Sequence, residues 1–157
     1  MFEHVIEAMA DAVLVVDVEG CITMTNAAAA RLTGYSVKEL RGLPIARLMA
    51  DENSGLRTVV RRRIEDGSVL RREESWIMPK VGTAIPVSVT GSPLMSDGRL
   101  QGIVLVARDT RDMRELLKAK EIEIAGRRKA EEALRAAKAS IEEQLDETRK
   151  SLLLAER

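Results

Sequence analysis

Residues 11–36, DAVLVVDVEGCITMTNAAAARLTGYS, decide the fold because a strand, a turn, a second strand and a helix start follow one another without interruption. The run Ala12–Val16 is continuously apolar, which is typical of a strand buried on both faces. Gly20 supplies the turn. Asn26 stands where a helix N-cap is expected, and Gly34 ends that helix. The stretch therefore predicts a β-hairpin followed directly by a short helix.

Elements on either side extend this hairpin into a mixed domain. Residues 2–10 place apolar side chains at helical spacing, at Phe2, Val5, Ile6 and Met9. Downstream, Ser36 and Glu39 form a capping-box pattern, and the spacing over residues 54–65 predicts an amphipathic helix. Three alternating segments separated by glycine-containing turns then predict strands. The order of elements predicts an α+β domain: a five-stranded antiparallel sheet with short helices on one face.

Alternation along the predicted strands indicates which side chains share a face. In the first of the three later strands, Trp76 and Met78 fall on one face. In the next, Ile85, Val87 and Val89 fall on one face. Period-two patterns of this kind are typical of strands that have one buried side.

The last 47 residues, 111–157, differ in composition from the domain before them. About half are charged, none is proline or aromatic, and helix formers fill nearly every position. So long a helix with so few apolar residues is stable in water only when a narrow seam packs against a partner helix. The sequence therefore predicts a domain over residues 1–110, followed by a signalling helix over residues 111–157 that forms a coiled coil.

The predicted dimer seam alternates spacings of three and four residues, and its apolar members are Met113, Leu117, Ile124, Leu134, Ile141, Leu145 and Leu152. Charged residues occupy seam positions in the middle of the same frame, at Lys120, Arg127 and Glu131. An offset frame through Ala130 and Ala137 fits this part better, which indicates a stutter near Gly126. A helix with a weak middle can hold two registers of similar energy, as a signalling element requires.

Composition argues against several classes of function. The 25 basic and 25 acidic residues balance, whereas binding to nucleic acid or to an anionic membrane favours a basic excess. No apolar run approaches the ~20 residues that span a bilayer, and the acidic N-terminus is unlike a signal peptide. With one cysteine, Cys21, and one histidine, His4, a Cys/His zinc site is almost excluded. A single cysteine also suits a reducing cytoplasm, which is the expected location.

Residues 11–36 resemble the start of a bacterial sensory PAS domain, with matching residues at Asp17, Gly20, Asn26, Ala28, Gly34 and Tyr35. At the other end, GIVLVARDTRD (102–112) resembles the last PAS strand and its Asp-x-Thr exit motif, except that Arg111 replaces the usual threonine. The resemblance implies a PAS fold over roughly residues 1–110.

The helix that follows resembles parts of sensor histidine kinases. RRKAEEALR (127–135) resembles the connector that follows such domains, and EEQLDETRKSLLLAER (142–157) resembles the run entering the phosphoacceptor helices. No phosphoacceptor histidine is present in this sequence. The resemblance implies a sensory and dimerisation module, without enzymatic activity of its own, that forms a parallel homodimer and passes a conformational signal to a kinase core. Two alternatives are a ligand-free PAS interaction module and a sensor for another output, such as a cyclase or a transcription regulator.

A pocket between sheet and helices is the candidate sensory site, and its expected lining is Met24, Leu48, Val60, Ile64, Trp76, Met78, Val87 and Val104. The alternative for Trp76 is a place in the core or on an outer, dimer-facing sheet surface. No cofactor is expected. The resemblance to flavin photosensors places Ile45 at the position of their reactive cysteine, and the helix that holds haem in similar oxygen sensors has no histidine here.

The candidate signal junction is Asp109, Thr110 and Arg111, where the last strand meets the long helix. A carboxylate at Asp109 can accept hydrogen bonds from the first helical turn and complement the helix dipole. Arg111 is expected to pair with Asp112 or Glu115, or to reach back to the sheet. The second expected dimer contact is the apolar N-terminal helix.

Overall fold

The computed structural model describes residues 2–49 and 70–156. The chain divides into two compact units, Met1–Asp112 and Met113–Arg157, which are described separately below. The helix predicted over residues 54–65 lies outside the described residues, as do Val60 and Ile64 of the expected pocket.

The first unit contains a five-stranded antiparallel sheet in the order β2-β1-β5-β4-β3, which confirms the predicted fold class. The strands are β1 (Ala12–Asp17), β2 (Ile22–Thr25), β3 (Leu70–Ile77), β4 (Ile85–Ser96) and β5 (Arg99–Asp109). The described helices are α1 (Phe2–Ala8), α2 (Ala27–Thr33), α3 (Val37–Leu40), a 3-10 helix (Ile45–Arg47) and α4 (Arg111–Ala155). Because β1 and β5 are neighbours, the first and last strands lie side by side near the middle of the sheet.

One face of the sheet packs against α2, α3 and the 3-10 helix to form the core, whose buried members include Leu14, Val16, Ile22, Leu40, Leu48, Val87 and Leu105. Strand β1 is buried on both faces along Ala12–Val16, as its continuous apolar run predicts. The prediction that Ile85, Val87 and Val89 share a face is also confirmed, because all three are buried in this core. Full burial of a side chain of this size stabilises the fold by about 1.5–3 kcal/mol.

Two local predictions of chain geometry are confirmed. Ser36 and Glu39 form a complete capping box at the start of α3. The last of the predicted glycine-containing turns is that of the β4–β5 hairpin, at Asp97 and Gly98, which have φ angles of 50° and 73°. Positive φ at both central residues is the type I′ geometry that Asp-Gly favours, and it matches the right-handed twist of the two strands.

Asn26 makes four hydrogen bonds and is fully buried. Its Oδ1 accepts from the backbone N–H of Ala29, which is the predicted N-cap bond, and also from that of Val13, both at 3.0 Å. Its Nδ2 donates to the carbonyl oxygens of Ile6 at 2.9 Å and Asp11 at 3.0 Å. One amide therefore joins α1, the segment before β1, β1 itself and α2.

The second unit is a helical rod. Helix α4 has 45 residues, which corresponds to a length of about 67 Å. Within the described chain no α4 side chain is buried, and large apolar residues along it are exposed. None of the described helices is both long and apolar enough to cross a bilayer.

Candidate signal junction and ligand sites

The candidate junction is compact: β5 ends at Asp109, and α4 begins two residues later at Arg111. Asp109 Oδ1 accepts the backbone N–H of Arg111 at 2.9 Å, which is the first-turn bond that the sequence predicts. The Arg111 guanidinium also donates to both carboxylate oxygens of Asp109, with the shortest distance 2.6 Å from Nη2 to Oδ2. Arg111 therefore reaches back to the end of the sheet, one of the two alternatives expected for it.

The electrostatics of this pair favour the charged form of the carboxylate. Partial burial of Asp109 acts to raise its pKa, but the hydrogen bonds from the Arg111 side chain and backbone and the positive charge of Arg111 act in the opposite direction. The net result is a pKa of Asp109 below its ordinary value. The carboxylate that caps α4 thus remains ionised throughout the physiological range.

Thr110 lies between the two residues and anchors the backbone. Its N–H donates to the carbonyl oxygen of Pro86 in β4 at 3.1 Å. Its Oγ1 is buried without a hydrogen-bond partner among the described residues. The start of α4 is therefore tied to two strands, to β5 through the chain and to β4 through this hydrogen bond.

An ion pair that sequence reasoning missed lies immediately beside the junction. The guanidinium of Arg108 binds the carboxylate of Asp11 with both Nε and Nη2, and the Nη2–Oδ2 distance is 2.9 Å. The two residues are 97 positions apart in sequence, so no local pattern could connect them. The hydrogen bonds and charge of Asp11 raise the pKa of Arg108 further above its ordinary value.

The contacts near the junction form a continuous chain. Helix α1 is joined to Asn26 through the carbonyl oxygen of Ile6. Asn26 is joined to the backbone of Asp11, and the side chain of Asp11 is joined to Arg108, the residue before Asp109. Helix α1 and the end of strand β5 are therefore connected through Asn26 and Asp11 by hydrogen bonds and one ion pair.

The structure does not bring the described members of the expected pocket together. Leu48 and Val87 are fully buried on the core face of the sheet. Trp76 and Met78 share a face as predicted, but it is the opposite one, and they are 43% and 39% exposed. In β3 the core-facing residues are Ser75 and Ile77, which pair with Val87 and Ile85 of β4.

Met24 and Val104 complete the described part of that set, and both are half-buried. Val104 alternates with the core residues Ile103 and Leu105 along β5, and therefore lies on the face opposite the core. The described residues of the expected pocket consequently divide between the two faces of the sheet, and a single cavity cannot be lined by both groups.

Two open clefts are present in the described part of the first unit. One, of about 290 Å³, lies where α2, the segment before β1 and the end of β5 meet. The other, of about 210 Å³, is lined by Asp11, Arg72, Ser88, Thr90, Val106 and Arg108. Asp11 and Arg108 line both clefts, so their ion pair borders each of them.

The hairpin after β3 is held to α2 and α3 by Lys80. Its backbone N–H donates to the carbonyl oxygen of Thr33 at 2.8 Å, and its Nζ lies 2.6 Å from Glu39 Oε1. The hydrogen bond from Lys80, followed by that from the Ser36 backbone, lowers the pKa of Glu39 to about 2. A sequence pattern identified the capping role of Glu39 but not this pairing.

The remaining candidates for chemistry are isolated from one another. His4 is exposed on α1, and Cys21 is half-buried in an isolated bridge to Pro44. Ile45, at the position that corresponds to the reactive cysteine of flavin photosensors, is 8% exposed. Within residues 2–49 and 70–156, no three His, Cys, Asp or Glu side chains come together in a group that could hold a metal ion.

The apolar residues of the expected seam are all exposed on α4: Met113, Leu117, Ile124, Leu134, Ile141, Leu145 and Leu152. Four other large aliphatic residues of the helix lie outside the seam frame and are exposed as well: Leu116, Ile122, Leu153 and Leu154. Surface ion pairs between Lys120 and Glu123 and between Asp146 and Lys150 add little to the stability of the helix.

Comparison with known proteins agrees with this architecture. A family model described as the PAS fold matches residues 1–110. A domain of a sensory box sensor histidine kinase/response regulator from Geobacter sulfurreducens is 28% identical, with a TM-score of 0.58, and the match covers 69% of this chain and 90% of that chain.

Two further solved structures share the fold. An RNA-binding Light-Oxygen-Voltage receptor has a TM-score of 0.67 at 22% identity, over 79% of this chain and 36% of that chain. The PAS domain of a transcriptional regulator in the LuxR family from Burkholderia thailandensis, in complex with ethanol, has a TM-score of 0.56 at 16% identity, over 69% and 96% of the two chains. A search of curated proteins finds no significant match.

Proposed function

Because this chain belongs to the PAS family, we propose that it is the sensory and dimerisation module of a cytoplasmic histidine kinase. In this proposal the PAS domain (residues 1–110) changes conformation with its signal, and the helix over residues 111–157 carries the change to a kinase core. The chain itself has no enzymatic activity, and it forms a parallel homodimer because each core must receive its helix in the same orientation.

The single observation that carries this proposal is the direct passage from sheet to helix. Asp109 ends β5 and caps α4 through the backbone N–H of Arg111, so a shift of the strand moves the first turn of the helix. A long helix transmits such a movement along its length only when it is stiff, and a coiled-coil partner supplies that stiffness. The exposed apolar seam of α4 supports the presence of such a partner.

The energetics of association favour contributions from both parts of the chain. A seam residue contributes about 1 kcal/mol once losses in side-chain entropy are subtracted from its burial. Association costs about 4–15 kcal/mol in lost translational and rotational freedom. The seam of α4, weakened in its middle by charged residues, therefore needs help from the domain. Val5 of α1 and Met9 just after its end are exposed and keep this segment as the candidate contact, while Ile6 is buried within its own chain.

Analytical ultracentrifugation of paired variants tests the seam. Ile141 belongs to the seam and Ile122 does not, although both are exposed isoleucines of α4. We expect Ile141→Lys to weaken the dimer because it places a charge in a buried seam, and we expect Ile122→Lys to leave it unchanged. A wild-type chain that is monomeric at micromolar concentration, or two variants with equal effects, would show that α4 is not a dimer seam.

Another output domain is the second candidate, and solved relatives with different outputs favour keeping it. One relative is an RNA-binding receptor and another belongs to a transcriptional regulator. Joining this chain to a histidine kinase core and measuring autophosphorylation tests the leading proposal. Output that is unaffected by inserting residues into α4, which rotates the helix end, would contradict transmission through the helix.

A ligand-free interaction module is the third candidate. The structure divides the described residues of the candidate pocket between two faces of the sheet, so a small molecule inside the domain would have no single lining among them. Native mass spectrometry of the freshly purified chain distinguishes the two cases. A bound small molecule would favour a sensor, and a mass equal to that of the polypeptide alone would favour an interaction module.

A further inference from the structure

The larger cleft has an alanine floor. Ala12 of β1 and Ala107 of β5 are register partners, and Ala28 of α2 lies beside them in the lining. All three are almost completely buried. Their methyl groups are too small to fill the space between α2 and the end of the sheet, and a depression of about 290 Å³ remains. The cleft is formed entirely within the first unit.

The rim of this cleft carries more positively than negatively charged residues. Asp11 is paired with Arg108, and Asp109 is paired with Arg111, each through a two-pronged contact. Arg31, in the last turn of α2, also lines the cleft and is exposed. It has no hydrogen-bond or ion-pair partner in the part of the chain that the structure describes. The rim therefore carries one positive charge in excess, at Arg31.

We propose that this cleft binds a small organic monocarboxylate. The guanidinium of Arg31 presents a planar pair of donors that matches a carboxylate, and the alanine floor accepts a short hydrocarbon chain. A single excess charge favours a monoanion, because a dianion would have to disrupt one of the two existing ion pairs. A cleft of about 290 Å³ holds roughly ten water-sized groups of about 30 Å³ each, which is enough for a carboxylate and a short hydrocarbon chain.

This location would link occupancy to the junction. The ligand would lie against Asp109 and Arg111 as well as against α2, and so would hold the first turn of α4 to the domain. We expect the backbone N–H of Arg111, which donates to Asp109, to exchange with solvent more slowly when the cleft is occupied. Binding itself is a property of the domain and does not depend on which output follows α4.

Two-dimensional ¹H–¹⁵N NMR of the full chain, titrated with sodium butyrate against sodium chloride at equal ionic strength, tests the proposal. We expect saturable butyrate-dependent shifts confined to amides around the cleft, such as those of Ala12, Ala28 and Arg111. Shifts that are the same with chloride, or that do not saturate, would overturn it. Sodium phosphate provides the second arm, and binding of phosphate as tight as that of butyrate would overturn the monocarboxylate assignment.

Three variants make the test specific. Arg31→Gln should weaken butyrate binding by about tenfold or more, because a charge-assisted hydrogen-bond donor is lost. Arg99→Gln removes the same charge from an exposed position at the far end of β5 and should leave the affinity unchanged. Ala10→Leu, at an exposed lining position, should weaken binding by filling the mouth without altering charge. Equal affinities for wild type and Arg31→Gln would refute the assignment of Arg31.

Discussion

Replacing Asn26 tests whether one buried side chain holds the N-terminal half of the domain together. Asn26→Ala removes four hydrogen bonds and leaves two N–H groups and two carbonyl oxygens of the backbone without their partner. Each buried group left unsatisfied costs about 1–3 kcal/mol, although relaxation and water entry recover part of it. We therefore expect a loss of about 3–5 kcal/mol from a domain whose total stability is on the order of 5–15 kcal/mol.

Asn26→Asp separates the acceptor role from the donor role. The two bonds to Oδ1 are kept, but a carboxylate oxygen then faces the carbonyl oxygens of Ile6 and Asp11. Burial and these oxygens raise the pKa of the introduced carboxyl in the folded state above its value of about 3.9 in the unfolded chain. The folded state consequently binds the proton more tightly. The variant should be least destabilised below about pH 4 and should lose further stability as the pH rises towards neutrality.

Urea unfolding followed by Trp76 fluorescence measures both effects. Trp76 is the only tryptophan of the chain and lies in β3, so its signal reports on the domain and not on α4. Ser36→Ala is the control, because it removes an exposed N-cap bond worth about 1 kcal/mol. If Asn26→Ala lowers the free energy of unfolding no more than Ser36→Ala does, Asn26 is only a helix cap, and the reasoning from its four hydrogen bonds is refuted.

Three further predictions concern the junction, the hairpin after β3 and two glycines. Asp109→Ala should lower the free energy of unfolding by about 1–2 kcal/mol because a helix cap is lost. It should also change basal or stimulated kinase output in a fusion protein. Unchanged output would mean that the junction is only a cap. The Glu39–Lys80 pair should stabilise the folded domain above the ordinary carboxyl pKa of 4.5, and this stabilisation should be lost as the pH falls towards about 2. An NMR titration of Glu39 with a midpoint near 4.5 would contradict this prediction. Gly102→Ala should unfold the domain because the added methyl group would collide with a β1 carbonyl oxygen. Gly126 has open space around it, so Gly126→Ala should stabilise α4 by about 1 kcal/mol. Thermal melting followed by circular dichroism measures both glycine variants, and equal stability of the two would contradict the assigned backbone contact.

Contacts close in sequence were predictable. The N-cap at Asn26, the capping box of Ser36 and Glu39, and the Asp97-Gly98 turn each depend on atoms within a few residues, so residue type and spacing specify them. The burial of β1 was predictable for a related reason, because only a strand covered on both sides is apolar at every position.

Contacts between distant segments were decided by the tertiary structure. Alternation places Trp76 of β3 and Met78, the residue after the strand, on the same face, but only the register with β4 determines that Ser75 and Ile77 face the core instead. The same limit applies to the expected pocket, whose members were assigned to one face before any pairing was known. The Asp11–Arg108 ion pair and three of the four bonds of Asn26 join segments brought together by strand order. The pattern of apolar residues in the sequence determines whether each segment is a helix or a strand. The pairing of β1 with β5 decides which charges, amides and clefts lie beside the start of α4.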